Sequence, residues 1–261
     1  MQTLLRKSLI IATVLSVAVP VFAQQAEPQM KHQDTEVYAP VPPTVTPGKT
    51  DADPPSDAII LFDGKDEDQW VSAQDHTPAR WTVADDTLKV SKEKGVGNIE
   101  TKKTFKDYQL HIEWKIPTTI EGSDQARGNS GVFLASTGPK DDGYELQVLD
   151  NYNNKTYVNG QAGAIYKQAI PLASPARKPG EWQSYDIIFH APRFDADGKL
   201  EKPGTVTVLQ NGILVQDNVE IKGNTGPTGA PKYRAHPLKQ SLLLQDHHNP
   251  VRYRNIWIRE L

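Results

Sequence analysis

Apolar and polar side chains alternate one by one along two segments of this sequence, residues 110–116 and 144–148. A repeat of two residues is the repeat of a β-strand, because successive side chains of a strand point to opposite faces of its sheet. No long stretch with a helical repeat follows residue 23. The pattern therefore predicts strands that each have one apolar and one polar face.

Shorter apolar runs predict further strands, and turn residues separate them. The clearest turn is Asn211-Gly212, which lies between two β-branched runs and predicts a hairpin with a type I′ turn. Many short strands at this spacing predict an all-β sandwich or jelly roll. The additional predicted strands are residues 81–83, 88–90, 131–134, 182–190, 205–210, 242–245 and 256–260.

The N-terminal 23 residues have the features of a secretory signal peptide. Arg6 and Lys7 precede an apolar run over residues 9–19, and Ala23 supplies a small residue at the expected cleavage position. The run is short for a membrane-spanning helix, which needs about 20 apolar residues. We therefore predict a periplasmic or secreted protein with no membrane contact after cleavage, the alternative being an uncleaved anchor.

Seven prolines fall within residues 24–57, among polar residues without apolar periodicity. Such a composition cannot bury enough surface to offset the entropy of ordering the chain. The segment is therefore predicted to be a disordered linker, and residues 58–261 are predicted to form one domain. A Pro-rich tail would also suit an interaction domain of an extracellular assembly.

Charge and composition exclude several classes of function. The chain has 29 Lys and Arg against 32 Asp and Glu, a net charge of −3, and these residues are scattered along its length. A nucleic-acid-binding protein would show a basic domain or stripe, so we predict no nucleic-acid partner. Cysteine is absent, which excludes disulfides, thiol nucleophiles and thiolate metal sites. The oligomeric state is left open.

The polar faces of three predicted strands hold the candidate site residues. Residues two apart on a strand share a face, so each strand presents one polar pair. Amides, carboxylates and imidazoles are the groups that hydroxyl-rich ligands require. The alternative is that they are ordinary solvent-facing residues of a half-exposed sheet. The three pairs are Glu145 with Gln147, His111 with Glu113, and Gln245 with His247.

Two loop regions add candidate substrate-binding residues. Arg127 and Asn129 lie in a glycine-containing loop that enters a predicted strand, and either could bind a sugar oxygen. Asn129 could instead cap the local backbone. Gln161 and Tyr166 could line the rim of a site, although Tyr166 could equally be a core aromatic.

The Asp246-His247-His248 sequence invites a metal site, but neighbouring residues of a strand point to opposite faces. We therefore predict no catalytic metal and no cofactor. Structural calcium in the acidic segments 63–68 or 195–197 is left open.

Several motifs in a fixed order resemble those of one family over residues 59–261. That family is the 3-keto-disaccharide hydrolase family, formerly called domain of unknown function 1080. The resemblance implies a concanavalin A-like jelly roll of two antiparallel sheets, with a carbohydrate site that cleaves glycosides oxidised at C3. The motifs are Leu61-Phe62-Asp63-Gly64-Lys65, Trp70, Trp81-Thr82-Val83, Gly128-Asn129-Ser130-Gly131, Tyr144-Glu145-Leu146-Gln147, Gly163-Ala164-Ile165-Tyr166, Gly180-Glu181-Trp182, Leu244-Gln245-Asp246-His247 and Arg254-Asn255-Ile256.

A 3-keto substrate suggests elimination, because the ketone acidifies the C2 proton. In this hypothesis His247 or Glu145 is the base, Glu113 or the remaining partner is the acid, and Arg127 and Asn129 lie near the enolate oxygen. The remaining candidates bind the glycoside or oligosaccharide: Gln147, Gln161, Tyr166, Gln245 and His111. A conventional glycosidase using Glu113 and Glu145 and a non-catalytic carbohydrate-binding module remain as alternatives.

Overall fold

The computed structural model describes residues 30–91 and 93–261. The predicted signal peptide lies outside the described residues. No helix in the described ranges combines the length and the apolar character that crossing a membrane requires.

The chain divides into two compact units, Met1–Pro43 and Thr44–Leu261. Within the first unit, the described residues contain one 3₁₀ turn, His32–Thr35, and are mostly exposed. The described residues of the second unit form fifteen strands: β1 (Ile59–Phe62), β2 (Trp70–Ser72), β3 (Thr82–Ala84), β4 (Thr87–Lys89), β5 (Ile99–Thr101), β6 (Tyr108–Lys115), β7 (Ser130–Ser136), β8 (Gly143–Val148), β9 (Gln183–His190), β10 (Arg193–Phe194), β11 (Leu200–Lys202), β12 (Thr205–Gln210), β13 (Ile213–Glu220), β14 (Leu243–Leu244) and β15 (Arg252–Glu260). Short 3₁₀ turns lie at Asp124–Ala126 and Val158–Gly160.

Two large antiparallel sheets form the jelly-roll sandwich that the sequence predicts. The eight-stranded sheet has the order β13-β12-β9-β6-β15-β4-β3, with β1 also paired to β15. The five-stranded sheet has the order β2-β5-β14-β7-β8, and β10 and β11 form a small separate ribbon. The all-β prediction is confirmed.

One apolar core fills the space between the sheets. It includes Leu110, Ile112 and Trp114 from β6 and Leu146 and Val148 from β8, all essentially inaccessible to solvent. Because these apolar residues point inward, the polar residues that alternate with them point outward on both sheets.

Three tyrosine hydroxyls cross the core and attach the eight-stranded sheet to β7 and β8. Tyr185 donates to the Gln147 carbonyl at 2.7 Å and Tyr108 donates to the Leu134 carbonyl at 2.6 Å. The Tyr253 hydroxyl bonds Ser130 Oγ at 2.7 Å. Buried hydroxyls need partners, and these bonds also fix the strands that carry the site residues.

The predicted hairpin is present between β12 and β13. Gln210 pairs with Ile213, and Asn211 and Gly212 have φ angles of 53° and 79°. Both values are positive, as a type I′ turn requires, and asparagine and glycine are the residues that tolerate them.

Part of the predicted linker packs onto the domain, so the predicted boundary at residue 58 is too late. The carbonyl of Ala52 accepts hydrogen bonds from Asn255 Nδ2 at 2.8 Å and from Trp257 Nε1 at 2.9 Å. Asp57 pairs with Arg259 at 2.5 Å. We call residues 44–57 the N-terminal strap. The strap is ordered because its backbone supplies acceptors to side chains of β15.

Candidate functional site

The outer face of the five-stranded sheet carries the central candidates, Glu145 and Gln147 of β8. Glu145 is paired with Phe133 of β7, and Gln147 is paired with Gly131. Both side chains lie opposite the inward-facing Leu146, as the alternation predicts. They are not exposed, because loops cover this face and leave Glu145 only 6% and Gln147 only 1% accessible.

A cavity of about 110 Å³ lies under these loops. Two backbone contacts position its walls: Glu145 N donates to Thr225 Oγ1 at 3.1 Å, and Tyr166 N donates to the Glu145 carbonyl at 3.1 Å. Both loop segments thereby cover β8, which would otherwise be an open sheet edge. The lining residues are Asn129, Asp141, Glu145, Gln147, Tyr166, Thr225, Gly226, Pro227, Gln245 and His247.

Gly131 provides the space for the Glu145 carboxyl group. A Cβ atom at Gly131 would lie 2.6 Å from Glu145 Oε1, closer than such contacts occur in proteins. The motif Gly-Asn-Ser-Gly therefore ends in a residue that leaves room for the carboxyl group in this position, and a Cβ atom there would displace it.

Glu145 is a carboxylic acid that has no counter-ion among the described residues. Burial, together with the smaller effect of the negative charge of Asp141, raises its pKa to about 8. No hydrogen bond from the described part of the chain reaches its carboxyl oxygens. A buried acid that titrates near neutral pH in a cavity is the arrangement that proton transfer uses.

Two buried amide oxygens in this cavity lack partners within the described ranges, Gln147 Oε1 and Gln245 Oε1. Buried polar atoms are normally satisfied, so these two require a ligand or ordered water. Asn129 and Gln147 are themselves oriented by Gln125, whose carbonyl and side-chain oxygens accept from them at 2.8 and 3.2 Å. Oriented amides of this kind suit sugar hydroxyls.

His111 and Glu113 lie elsewhere, so their predicted roles in this site are wrong. They belong to β6 of the eight-stranded sheet and point outward on the opposite side of the sandwich from Glu145. Strand alternation gives the face on which a side chain lies but does not give the sheet that the strand joins. Glu113 therefore cannot act with Glu145 on one substrate bond.

These two residues form part of an outer charged cluster, which we define as Asp186, His111, Glu113 and Arg254. His111 Nδ1 contacts Asp186 Oδ1 at 2.6 Å, and Arg254 Nε donates to Glu113 Oε2 at 2.6 Å. Arg254 also lies 4.1 Å from the ring of Trp182, which is half-buried here rather than in the core.

The cluster favours the charged forms of both His111 and Glu113. Burial by itself would lower the pKa of His111, but the hydrogen bonds and charges of Asp186 and Glu113 outweigh it and raise the pKa to about 9. Burial opposes the charge of Glu113 as well, yet His111, Asn255 and Arg254 lower its pKa to about 2. Each charge has a partner, which is typical of a stabilising ion-pair network.

Two loop candidates also lie outside the cavity lining. Arg127 Nε donates to Asp150 Oδ2 at 2.7 Å, and its Nη2 donates to the Tyr152 carbonyl. Because this guanidinium neutralises a buried carboxylate, Arg127 holds its loop in place. Gln161 contributes its backbone carbonyl to Ala164 N and does not line the cavity.

Sequence reasoning missed the lining residues that come from loops, Asp141 and the segment 225–227. They have no periodicity that would place them near Glu145. The available signal was the density of turn residues, Asp142-Gly143 and the Gly226-Pro227 to Gly229 run, which indicates loops but not their position.

Within residues 30–91 and 93–261, no group of three acidic or histidine side chains is arranged to hold a metal ion. In the segments considered for calcium, Asp63 pairs with Lys65, and Asp195 Oδ1 accepts from the backbone of Asp197 and Lys199. These aspartates cap turns of the chain.

Comparisons with known proteins point to a single family. The family described as the 3-keto-alpha-glucoside-1,2-lyase-like domain matches residues 57–259. A solved structure from Parabacteroides distasonis ATCC 8503, provisionally named a glycosyl hydrolase, is 49% identical, with a TM-score of 0.82 over 89% of this chain and 97% of that chain.

Two further structures from the same organism, named in the same provisional way, resemble the chain more distantly. They are 21% and 25% identical, each with a TM-score of 0.55 over 78% of this chain, covering 94% and 99% of their own. No curated protein sequence matches the chain significantly.

Proposed function

The chain belongs to the 3-keto-alpha-glucoside-1,2-lyase-like domain family, and from this premise we propose that it is an enzyme that cleaves glycosides carrying a ketone at C3. The observation that carries the proposal is the Glu145 cavity, in which a buried acid lies beside two amide oxygens that have no hydrogen-bond partner among residues 30–91 and 93–261. The acid supplies proton transfer, and the amides supply hydrogen bonds to sugar hydroxyls.

The proposed reaction begins at C2. A base removes the C2 proton, and the electron pair of that bond is delocalised into the C3 ketone as an enolate. The enolate then expels the oxygen on C1, which takes a proton, and a C1=C2 double bond conjugated with the ketone remains. Water adds back across this bond, with hydroxyl on C1 and hydrogen on C2, to give the free 3-keto sugar.

In this scheme each of two cavity residues carries out one of the proton transfers. Since the pKa of Glu145 is about 8, its carboxyl group holds a proton at neutral pH and can donate it to the leaving oxygen. His247, which lines the same cavity, is then the base at C2. Gln245 and Asn129 are the candidate donors to the enolate oxygen, because Arg127 is occupied by Asp150.

The experiment that tests the proposal uses 3-keto-trehalose, 3-keto-lactose and their unoxidised parents in D₂O. We expect release of monosaccharide from the 3-keto substrates only, with deuterium at C2 of the product detected by NMR. The His247→Ala variant should lose deuterium exchange at C2 together with turnover. Cleavage of the unoxidised sugars without deuterium at C2 would contradict elimination.

A conventional glycosidase is the second candidate, because Asp141 is a second carboxylate in the cavity lining. In that mechanism two carboxyl groups flank the glycosidic bond and C2 is untouched. Asp141 with Glu145 replaces the predicted pair of Glu113 and Glu145. Equal turnover of oxidised and unoxidised disaccharides would favour this mechanism, and binding without turnover would favour a carbohydrate-binding module.

A further inference from the structure

Another cavity lies on the outer face of the sandwich opposite Glu145. Its volume is about 320 Å³, and sites that bind small molecules usually measure roughly 300–1,000 Å³. Its floor is the outer charged cluster, and its walls are the N-terminal strap and the segment that leads into β9. We call it the strap cavity, and its lining residues are Asp51, Ala52, His111, Glu113, Arg177, Trp182, Gln183, Ser184, Asp186 and Arg254.

Strand register explains how the floor of the strap cavity is assembled. His111 of β6 is paired with Asp186 of β9, and Glu113 of β6 lies between Ser184 of β9 and Arg254 of β15. Residues two apart on a strand share a face, so these side chains lie together on the outer surface. Three neighbouring strands therefore contribute polar groups to one floor.

The floor has hydrogen-bonding capacity that the ion pairs do not use. Asp186 contacts His111 through Oδ1 and is 38% exposed, so its Oδ2 is an acceptor that no described residue occupies. Arg254 donates to Glu113 through Nε and is 42% exposed, which leaves its two Nη groups as donors. The ring of Trp182, 4.1 Å from Arg254 Cζ, orients this guanidinium. Accessible donors and acceptors therefore lie side by side.

The walls add one further group of each kind. Arg177 is exposed and donates through Nη1 to the Trp182 carbonyl at 2.8 Å, and no carboxylate among the described residues pairs with it. Asp51 of the strap is also exposed, and no described residue donates to its carboxylate. Since neither side chain belongs to an ion pair of the described structure, each can be replaced without leaving a buried charge unpaired.

The charges of the lining favour a neutral ligand. His111 is protonated at neutral pH because its pKa is about 9, so cations and carboxylates in the lining are equal in number. The cations are His111, Arg177 and Arg254, and the carboxylates are Asp51, Glu113 and Asp186. An anionic ligand would add a negative charge beside Asp51 and Asp186 that nothing in this balance compensates.

The chemistry of the lining narrows the neutral ligand to a sugar. A hydroxyl group both donates and accepts, so a hydroxyl-rich ligand can use the guanidinium and carboxylate groups together. Of the described residues that line the cavity, only Ala52 and Trp182 are apolar. The apolar side chains of a peptide would therefore find little surface to contact, whereas one indole ring suffices for the apolar side of a sugar.

We propose that the strap cavity is a second, non-catalytic binding site, and that its ligand is a neutral oligosaccharide. The sugar hydroxyls accept from Arg177 and Arg254 and donate to Asp51 and Asp186, while Trp182 supplies the apolar contact. Because the cavity lies on the face opposite Glu145, a short glycan bound here does not reach that residue. The site attaches the protein to a glycan, and it does not depend on the reaction proposed above.

The test uses Glu145→Gln protein, so that no turnover removes the ligand, on an array of neutral and acidic glycans. We expect binding to neutral glycans. The neutral glycan that binds most strongly is then titrated by calorimetry. Arg177→Ala and Asp51→Ala, each added to Glu145→Gln, should each raise its Kd by about 10-fold, because each removes a hydrogen bond made by a charged group.

Two controls match these variants in charge. Lys202→Ala and Asp217→Ala remove an exposed cation and an exposed anion outside the strap cavity and should leave the Kd unchanged. Deletion of residues 24–57 removes Asp51 and should weaken binding as Asp51→Ala does, whereas deletion of residues 24–43 keeps the wall and the affinity.

Three outcomes would overturn the proposal. The first is no binding to any glycan of the array, and the second is stronger binding to acidic than to neutral glycans. The third is a Kd that Arg177→Ala and Asp51→Ala leave unchanged. Gln245→Ala probes the other cavity in the same titration, and a loss of affinity in that variant instead would place the sugar beside Glu145. None of these measurements requires turnover, so failure of the proposed function would not affect them.

Discussion

Glu145 and Glu113 are outward-facing glutamates of two strands in two sheets, yet their surroundings give them opposite properties. Glu145 is covered by loops, no cation among the described residues pairs with it, and its pKa rises to about 8. Glu113 is held by His111, Asn255 and Arg254, and its pKa falls to about 2. Position on a polar strand face is therefore a poor guide to chemistry, which depends on what loops and neighbouring strands place around the carboxyl group.

The contrast predicts that the two outer faces of the sandwich have different roles, one in stability and the other in proton transfer. The charge of Glu113 is neutralised in every direction, so it stabilises the fold and has no proton to exchange near neutral pH. Glu145 is tolerated only because it is protonated when buried, and this makes it available for proton transfer. Five experiments test this contrast, in order of decreasing expected effect.

Replacement of Glu145 should have the largest effect. Glu145→Gln keeps the shape of the side chain but cannot donate the proton, so turnover of a 3-keto-glycoside should fall by at least about 100-fold. Glu113→Gln is the matched control and should stay within a few-fold of wild type. Turnover of Glu145→Gln close to wild type would assign this residue a structural role.

Glu145→Gln should also change how the stability of the protein depends on pH. Because the pKa of Glu145 is raised above its ordinary value of 4.5, the stability it allows is present below pH 4.5 and is lost as the pH rises through about 8. Glu145→Gln has no charge to bury, so it should melt higher than wild type at pH 9. An equal loss of stability in both proteins between pH 5 and 9 would argue against the raised pKa.

Removal of Glu113 should destabilise the fold without affecting turnover. Glu113→Ala leaves His111 and Arg254 without their shared carboxylate and should cost about 2 kcal/mol of unfolding free energy. The lowered pKa means that this stabilisation is present above pH 4.5 and lost as the pH falls toward about 2. The raised pKa of His111 means that its contribution is complete below pH 6.5 and lost through about 9. The difference between the unfolding free energies of wild type and Glu113→Ala, measured with urea, should therefore be largest between pH 4.5 and 6.5.

The space at Gly131 offers a finer test of the Glu145 site. Gly131→Ala adds a Cβ atom that displaces the carboxyl group, and turnover should fall by about 10-fold. In the Glu145→Gln background the same substitution should have a much smaller effect, because the group that it misplaces is already inactive. Equal effects in both backgrounds would mean that Gly131 acts on the strand rather than on Glu145.

The N-terminal strap should give the smallest effect. Deletion of residues 24–57 removes the acceptor of Trp257 Nε1 and should lower the unfolding free energy by about 1 kcal/mol. Deletion of residues 24–43 keeps Ala52 and is the control. Turnover should be unchanged in both, since the strap packs on the face opposite Glu145. Identical stability of the two deletion variants would mean that all of residues 24–57 act as a linker that does not stabilise the domain.

Strand periodicity predicted the elements well, but it did not predict their assembly. The alternation around Glu145 and around Glu113 correctly identified outward faces, and Asn211-Gly212 correctly identified a hairpin. Placing His111 with Glu145 failed because strand order within a sheet depends on contacts between distant residues. Asp141 and Thr225 were missed for the same reason, since a loop crossing a sheet leaves no local pattern.

The position of β15 has a consequence for how the chain folds. It is the last strand in chain order, yet it lies inside the eight-stranded sheet, with β6 on one side and β1 and β4 on the other. Until β15 forms, that sheet is divided into β13-β12-β9-β6, β4-β3 and an unpaired β1, and the strap has no strand on which to pack. A chain emerging from the ribosome therefore cannot complete its fold stepwise. Long-range pairing of this kind makes folding slow and leaves earlier strands unpaired until the final segment arrives.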